Sequence, residues 1–273
     1  MPGPSTEPGG VRPASAAGLY YPRDADGLRR ALQTLLGSGG NTGTRVRLPK
    51  ALIVPHAGYA YSGAVAAAAF RTLDSAAAAS IRHVVLLGPT HRVPLRGLAV
   101  PSLDGFETPL GTVPIDTAGR QRLRELGLAG IADAPHAAEH SLEVQLPFLQ
   151  SVLDDFDLLP IAAGLAPPDL VARALDAVWG GDDTLIVVSS DLSHYHTSDE
   201  ARQLDATTTR AILERRSDVS DEQACGASGI NGLMQIARHR GLVVELLDQR
   251  NSGDTAGDRA RVVGYGSYAL FEA

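Results

Sequence analysis

From residue 51 onward, short runs of nearly unbroken Val, Ile, Leu and Ala alternate with longer stretches whose apolar positions recur at helical spacing. The short runs predict strands at 51–55, 83–88, 97–101, 158–162, 184–189, 242–247 and 262–271. The longer stretches predict helices at about 63–73, 116–127, 141–154, 168–179, 199–215 and 228–240. Strands that are apolar at successive positions, not at alternate ones, are covered on both faces. Such alternation folds as an α/β domain whose central sheet, mostly parallel or mixed, is flanked by helices. Upstream, Asp24 caps a helix reaching Leu36, and residues 37–44 form a flexible loop. The Pro/Gly/Ser/Ala-rich residues 1–17 read as a disordered tail, which leaves a single domain over 18–273 without linker or internal repeat.

Three of the predicted strands run into a Pro/Gly/Ser-rich turn that carries a histidine. Residues 51–54 lead into Pro55-His56-Ala57-Gly58, 84–87 into Gly88-Pro89-Thr90-His91, and 185–188 into Ser189-Ser190-Asp191-Leu192-Ser193-His194. In an open α/β sheet, ligands bind beyond the carboxyl ends of the strands, so these histidines can converge although the sequence keeps them apart. His56 reads either as a structural turn residue or as part of a site against which small neighbours press the backbone. Beside it, His91 becomes a second metal ligand, since two neutral imidazoles plus one anionic donor form a recurrent open site for iron or zinc.

His140 lies in Ala138-Glu139-His140-Ser141-Leu142-Glu143-Val144-Gln145-Leu146-Pro147-Phe148, near the start of a predicted helix. The helix N-terminus disfavours an imidazolium there, whereas adjacent Glu139 favours it; capping and proton transfer both fit. Asp191, three residues before His194, either orients an imidazole or caps the following turn. His196 reads as exposed, and His83, His136 and His239 have surface-like neighbours and receive no role. Cys225 reads either as a small buried hydrophobe or, in its polar setting before a helix, as a favoured thiolate.

Composition narrows the class further. The chain is 44% hydrophobic and 20% charged, with a net charge of −7. Without a Lys/Arg stripe to neutralise phosphates, a nucleic-acid partner is not expected; Lys50 is the sole lysine. A single cysteine excludes an internal disulfide and fits a reducing cytoplasm. Neither a basic-then-apolar leader nor an apolar run near the ~20 residues of a membrane span is visible. A soluble cytoplasmic protein with no membrane partner is therefore expected.

Taken together, the motifs VPHAGYAYSG (54–63), LLGPTHRVPL (86–95), TPLGTVPID (108–116), EHSLEVQLPFL (139–149), VVSSDLSHY (187–195) and Cys225-Gly226 resemble the MEMO family. This group is named in genomes as system protein B, alongside radical-SAM and AMMECR-type proteins. The resemblance covers roughly 45–273 and implies a fold like that of class III extradiol dioxygenases. It also implies a metal held by His56, His91 and Cys225, with iron(II) expected first and copper or zinc as alternatives. His140 would act on protons, helped by Asp191 and His194. A thiolate where true dioxygenases place a carboxylate makes Cu(I) or Zn more competitive, and ring cleavage does not follow from fold alone. The expected function is a metal-dependent redox or oxygenase-like enzyme acting on a small-molecule or peptide substrate, with a functional link to radical-SAM and AMMECR-type proteins. The alternatives are a non-catalytic metal- or peptide-binding adaptor, or a hydrolase that uses a metal-bound water or the Cys225 thiol.

Overall fold

The computed structural model describes residues 9–38, 47–73 and 76–272. In chain order its first half comprises β1 (Val11–Arg12), α1 (Ala25–Gly37), β2 (Ala51–Val54), α2 (Tyr59–Phe70), β3 (His83–Pro89), β4 (Leu98–Val100), β5 (Gly105–Thr108), β6 (Gly111–Pro114), α3 (Thr117–Glu125), β7 (Gly130–Ile131) and α4 (Ala134–Ala137). The second half comprises α5 (Leu146–Val152), β8 (Asp157–Ala163), α6 (Pro168–Ala177), β9 (Thr184–Ser189), β10 (His194–His196), α7 (Ser198–Leu213), α8 (Ala227–His239), β11 (Val243–Asn251) and β12 (Val262–Phe271). The main sheet runs β10-β12-β2-β9-β3-β8-β4-β7, with β11 also paired to β12. Its centre, β2-β9-β3-β8, is parallel throughout, while β12 and β4 close onto it antiparallel. The carboxyl ends of β2, β9 and β3 therefore lie side by side.

Both faces of the central strands are covered, which is why their sequences do not alternate. Leu52, Val54, Leu86 and Val187 pack with Leu28 and Leu32 of α1, Phe70 of α2 and Phe148 of α5. Their neighbours Ala51, Ile53, Leu87 and Val188 pack with Leu123 of α3, Leu175 of α6, Ile212 of α7 and Leu233 of α8. At the amino edge, Lys50 is nearly buried, and its Nζ donates to the Gly181 and Thr184 carbonyl oxygens at 2.6 and 2.7 Å. Burial pushes its amine down to about 8.

The structure departs from the sequence reading in several places. Residues 9–17 are not a tail: β1 pairs with β5 of a second, three-stranded sheet, and Arg12 is 1% exposed. Arg12 donates to Glu143 Oε2 at 2.5 Å and to the backbone oxygens of His136 and Glu139 at 2.5 and 2.7 Å. Glu143 also accepts from the amides of Ser15 and Ala16 and from the Tyr21 hydroxyl. A satisfied buried ion pair, together with Ala16 and Ala17 in the core, secures this segment. Residues 1–8 and most of the loop expected at 37–44 (39–44) lie outside the described residues.

The helix expected over 141–154 contracts to a 3-10 turn at Glu143–Gln145 followed by α5. Pro147 cannot donate a helical hydrogen bond and is tolerated only in a first turn. His136 is buried, not surface-facing; its Nε2 lies 3.2 Å from the Ala99 carbonyl oxygen, and burial lowers its basicity to about 4.

Candidate metal centre

His56 leaves β2 through a Pro-bounded turn, and His91 lies two residues beyond β3. Cys225 arrives on the turn before α8, a helix of the layer that also holds α3, α6 and α7. That approach requires a glycine next to it: a Cβ on Gly226 would lie 2.6 Å from Ser190 Cβ and 2.8 Å from the Ser189 carbonyl oxygen. One donor atom from each of His56, His91 and Cys225 falls within 4.8 Å of the other two. Cys225 Sγ is 3.3 Å from His56 Nε2. The His56 and His91 ring centres are 5.1 Å apart, at a steep mutual angle of 70°.

A third imidazole completes the cluster. His140 is stacked on His91 at 4.9 Å and stands edge-on to His56 at 5.5 Å. Its other face carries the Tyr20 ring, 4.3 Å away. The segment bearing it is pressed onto the end of β3, where the Ser141 hydroxyl donates to the Pro89 carbonyl oxygen at 2.8 Å. A Cβ on Gly88 would meet Leu142 Cδ2 at 2.9 Å, so glycine is what permits this contact.

Glu139 organises the group. Its buried carboxylate accepts from the His91 amide at 2.5 Å, from the His140 and Ser141 amides at 2.9 and 3.0 Å, and from His91 Nδ1 at 3.0 Å. Burial alone would raise this carboxyl, but the His140 ring beside it and the hydrogen bonds from the His91 ring and the amides outweigh it and hold it well below the usual carboxylate range. Since an ionised carboxylate only accepts, His91 carries a proton on Nδ1, and Nε2 is the ring atom left to act as a ligand. His140 Nδ1 sits 3.2 Å from the same oxygen but off the hydrogen-bonding direction.

Asp191 holds the turn that carries His56. Its Oδ1 accepts the backbone N–H of His56 at 2.7 Å, which fixes the turn, while Oδ2 stays 4.0 Å from His56 Nε2. Burial raises its carboxyl. His194, on β10, lines a cleft of about 640 Å³ with His91, Tyr195, His196, Asp221 and Cys225. His196, expected to be exposed, is partly buried in that wall. His56 is 2% exposed, and burial first, then the neighbouring His91 and His140, lowers its proton affinity. The favoured thiolate is not what the isolated site provides: burial, reinforced by Asp191, pushes the Cys225 thiol up. His83 lies elsewhere and pairs with Asp157 at 2.7 Å.

The sequence reading treated Glu139 only as a neighbour of His140 and gave Ser189, Gln145 and Tyr20 no role. Gln145 and Glu139 lie within a singled-out motif, so polar residues beside apolar ones there were a usable signal. Nothing local marked Tyr20.

The fold and cleft define an α/β protein with a candidate metal centre at the carboxyl ends of its parallel strands. Residues 12–269 match the family described as Memo-like protein, and this chain belongs to that family. It is 36% identical over 270 residues to a MEMO1 family protein of Aquifex aeolicus, covering 93% of this chain and 97% of that one. A MEMO1 family protein of Thermotoga neapolitana is 34% identical over 284 residues, covering 95% and 99%. One of Methanothermobacter thermautotrophicus is 32% identical over 278 residues, covering 93% and 98%. Among solved structures, an uncharacterized protein from Escherichia coli K12 is similar at a TM-score of 0.48 and 12% identity, over 80% of this chain and 99% of that one. No helix among the described residues is long and apolar enough to cross a membrane.

Proposed function

We propose that this Memo-like protein is a metal-dependent redox or oxygenase-like enzyme whose metal is held by His56, His91 and Cys225. The observation that carries the reading is the convergence of three donor atoms within 4.8 Å beside a cleft that His91 and Cys225 line. The donor set fits: two ligands sharing one tetrahedral zinc stand about 3.5 Å apart, from the bond lengths such sites show, and Cys225 Sγ and His56 Nε2 are 3.3 Å apart. When bound, such a metal supplies redox chemistry or Lewis acidity, with iron(II) first and copper or zinc the alternatives that a sulfur donor favours.

The surrounding residues divide the remaining work. Glu139 holds the His91 ring by its Nδ1, and Asp191 holds the His56 backbone. His140, stacked on His91 yet hydrogen-bonded through its backbone to Glu139, moves a proton beside the metal ligands. General acid–base assistance contributes about 10²- to 10⁴-fold. His194 faces the same space from β10 and acts on the substrate side. A Cys–His nucleophile is less well supported. Burial raises the thiol and lowers the imidazole, so the pair stays neutral instead of forming thiolate and imidazolium.

The test is metal analysis of untagged protein purified anaerobically, followed by activity assays on the same material. About one metal ion per chain is expected in the native protein. His56→Ala and Cys225→Ser should lose most of it, while His140→Ala should retain nearly full occupancy and lose turnover. Metal-free native protein, or full occupancy in His56→Ala, overturns the reading.

A further inference from the structure

Ser189 is fully buried at the end of β9 and touches three polar groups. Its Oγ is 2.7 Å from the Ser141 carbonyl oxygen, 3.0 Å from Gln145 Nε2 and 2.9 Å from His56 Nδ1. A hydroxyl has one proton to give and two lone pairs to receive with. The Ser141 carbonyl only accepts, so it takes the Ser189 proton. The orientation of Gln145 is set independently, because its Nε2 is also 2.9 Å from the Pro55 carbonyl oxygen. Turning the amide over would bring two oxygens face to face, so the NH₂ group points at both Pro55 and Ser189. The other end of the amide, Oε1, is then buried with no hydrogen-bond partner among the described residues. Gln145 thus leaves an acceptor unsatisfied while making both donations.

One lone pair of Ser189 remains, and only His56 Nδ1 is left to fill it. The geometry points to Ser189, oriented by Gln145, as a positioning residue that fixes His56 in its Nδ1–H tautomer and leaves the Nε2 lone pair facing Cys225. The far side of the ring agrees. Nε2 has Cys225 Sγ at 3.3 Å and the Asp191 carboxylate no nearer than 4.0 Å, so no oxygen acceptor is in place to hold a proton there. His91 is likewise held at Nδ1, but by a different partner, the Glu139 carboxylate. The two ligand imidazoles are thereby prepared by unrelated partners, one neutral hydroxyl and one anion. The purpose of this arrangement rests on the proposed metal reading; the tautomer itself does not.

The experiment uses the full chain labelled with [¹⁵N]histidine, dialysed against chelator and studied at pH 7.5 by long-range ¹H–¹⁵N correlation. His56 should show a protonated Nδ1 and a bare Nε2, and Ser189→Ala should shift it toward the Nε2–H form. Zn²⁺ affinity, measured by competition with a chromophoric chelator, should fall about 10- to 100-fold in Ser189→Ala, and Ser189→Thr, which keeps the hydroxyl, should recover most of it. A wild-type His56 protonated on Nε2 overturns the inference without any variant, even where Ser189→Ala fails to fold. An unchanged tautomer or unchanged Zn²⁺ affinity in folded Ser189→Ala overturns it as well. If wild-type protein shows the expected tautomer and loses it in Ser189→Ala, but binds no Zn²⁺, the positioning role stands and the metal reading falls.

Discussion

Glu139 receives hydrogens from one ring and three backbone amides of two segments, and every one of those contacts needs an acceptor. Glutamine there keeps the volume but turns half of the group into a donor, which faces N–H groups it cannot bond. The ring of His91 then loses the anion that holds its tautomer. Glu139→Gln is expected to weaken metal binding about 10- to 100-fold, the usual cost of removing a partner behind a ligand. Stability should fall by about 1–3 kcal/mol, since buried donors go unpaired. Chelator competition and urea unfolding measure the two effects. Wild-type metal affinity in this variant would reduce Glu139 to a scaffold residue.

Among the elements, those that pack two-sided in the sheet were legible from sequence. The apolar runs at 83–88, 184–189 and 262–271 appear as β3, β9 and β12 with almost unchanged limits, because burial on both faces leaves no polar position to blur them. The hairpin β5–β6 was not foreseen: its residues are partly exposed and Gly/Pro-rich, so no period of two stands out. Convergence of His56 with His91 followed from their shared place after strands of one parallel set, β2 and β3, which flank β9. The approach of Cys225, and the assembly of Tyr20 and Glu139 around His140, depend on long-range packing that no local pattern encodes. The same holds for β1, where Arg12 and Glu143 are 1% and 0% exposed. Arg12→Met strands the Glu143 charge in the interior and should cost about 3–5 kcal/mol. Adding Glu143→Leu should return part of that loss. Urea denaturation of the two single variants and the double variant closes the cycle, and strictly additive losses would mean that the two side chains do not act as a pair.

For the whole molecule, buried neutral imidazoles set the response to acid. His136 is held near 4 by burial against an ordinary value of 6.5, and His56 is lowered in the same direction. The unfolded chain therefore binds more protons than the folded one below pH 6.5, and stability falls as pH drops from there toward about 4. At pH 5 the His136 share amounts to about 2 kcal/mol. His136→Gln, which removes the titration, should lose less stability than wild type between pH 7.5 and pH 5. Equal losses in paired urea melts at the two pH values would show that His136 does not titrate on unfolding.

Lys50 gives the protein an unusual chemical silence. The chain has no other lysine, and this amine is tied to two carbonyl oxygens at the amino edge of the parallel strands. An acylating reagent thus finds no free side-chain amine on the folded surface. Attachment through a lysine, whether of a dye or of another polypeptide, has to wait until that edge opens. Once uncovered, the amine regains an ordinary lysine basicity, since burial is what lowers it, and it reacts only in that open form. The extent to which Lys50 becomes acylated in native buffer then reports opening of the sheet, read from the chain's one side-chain amine.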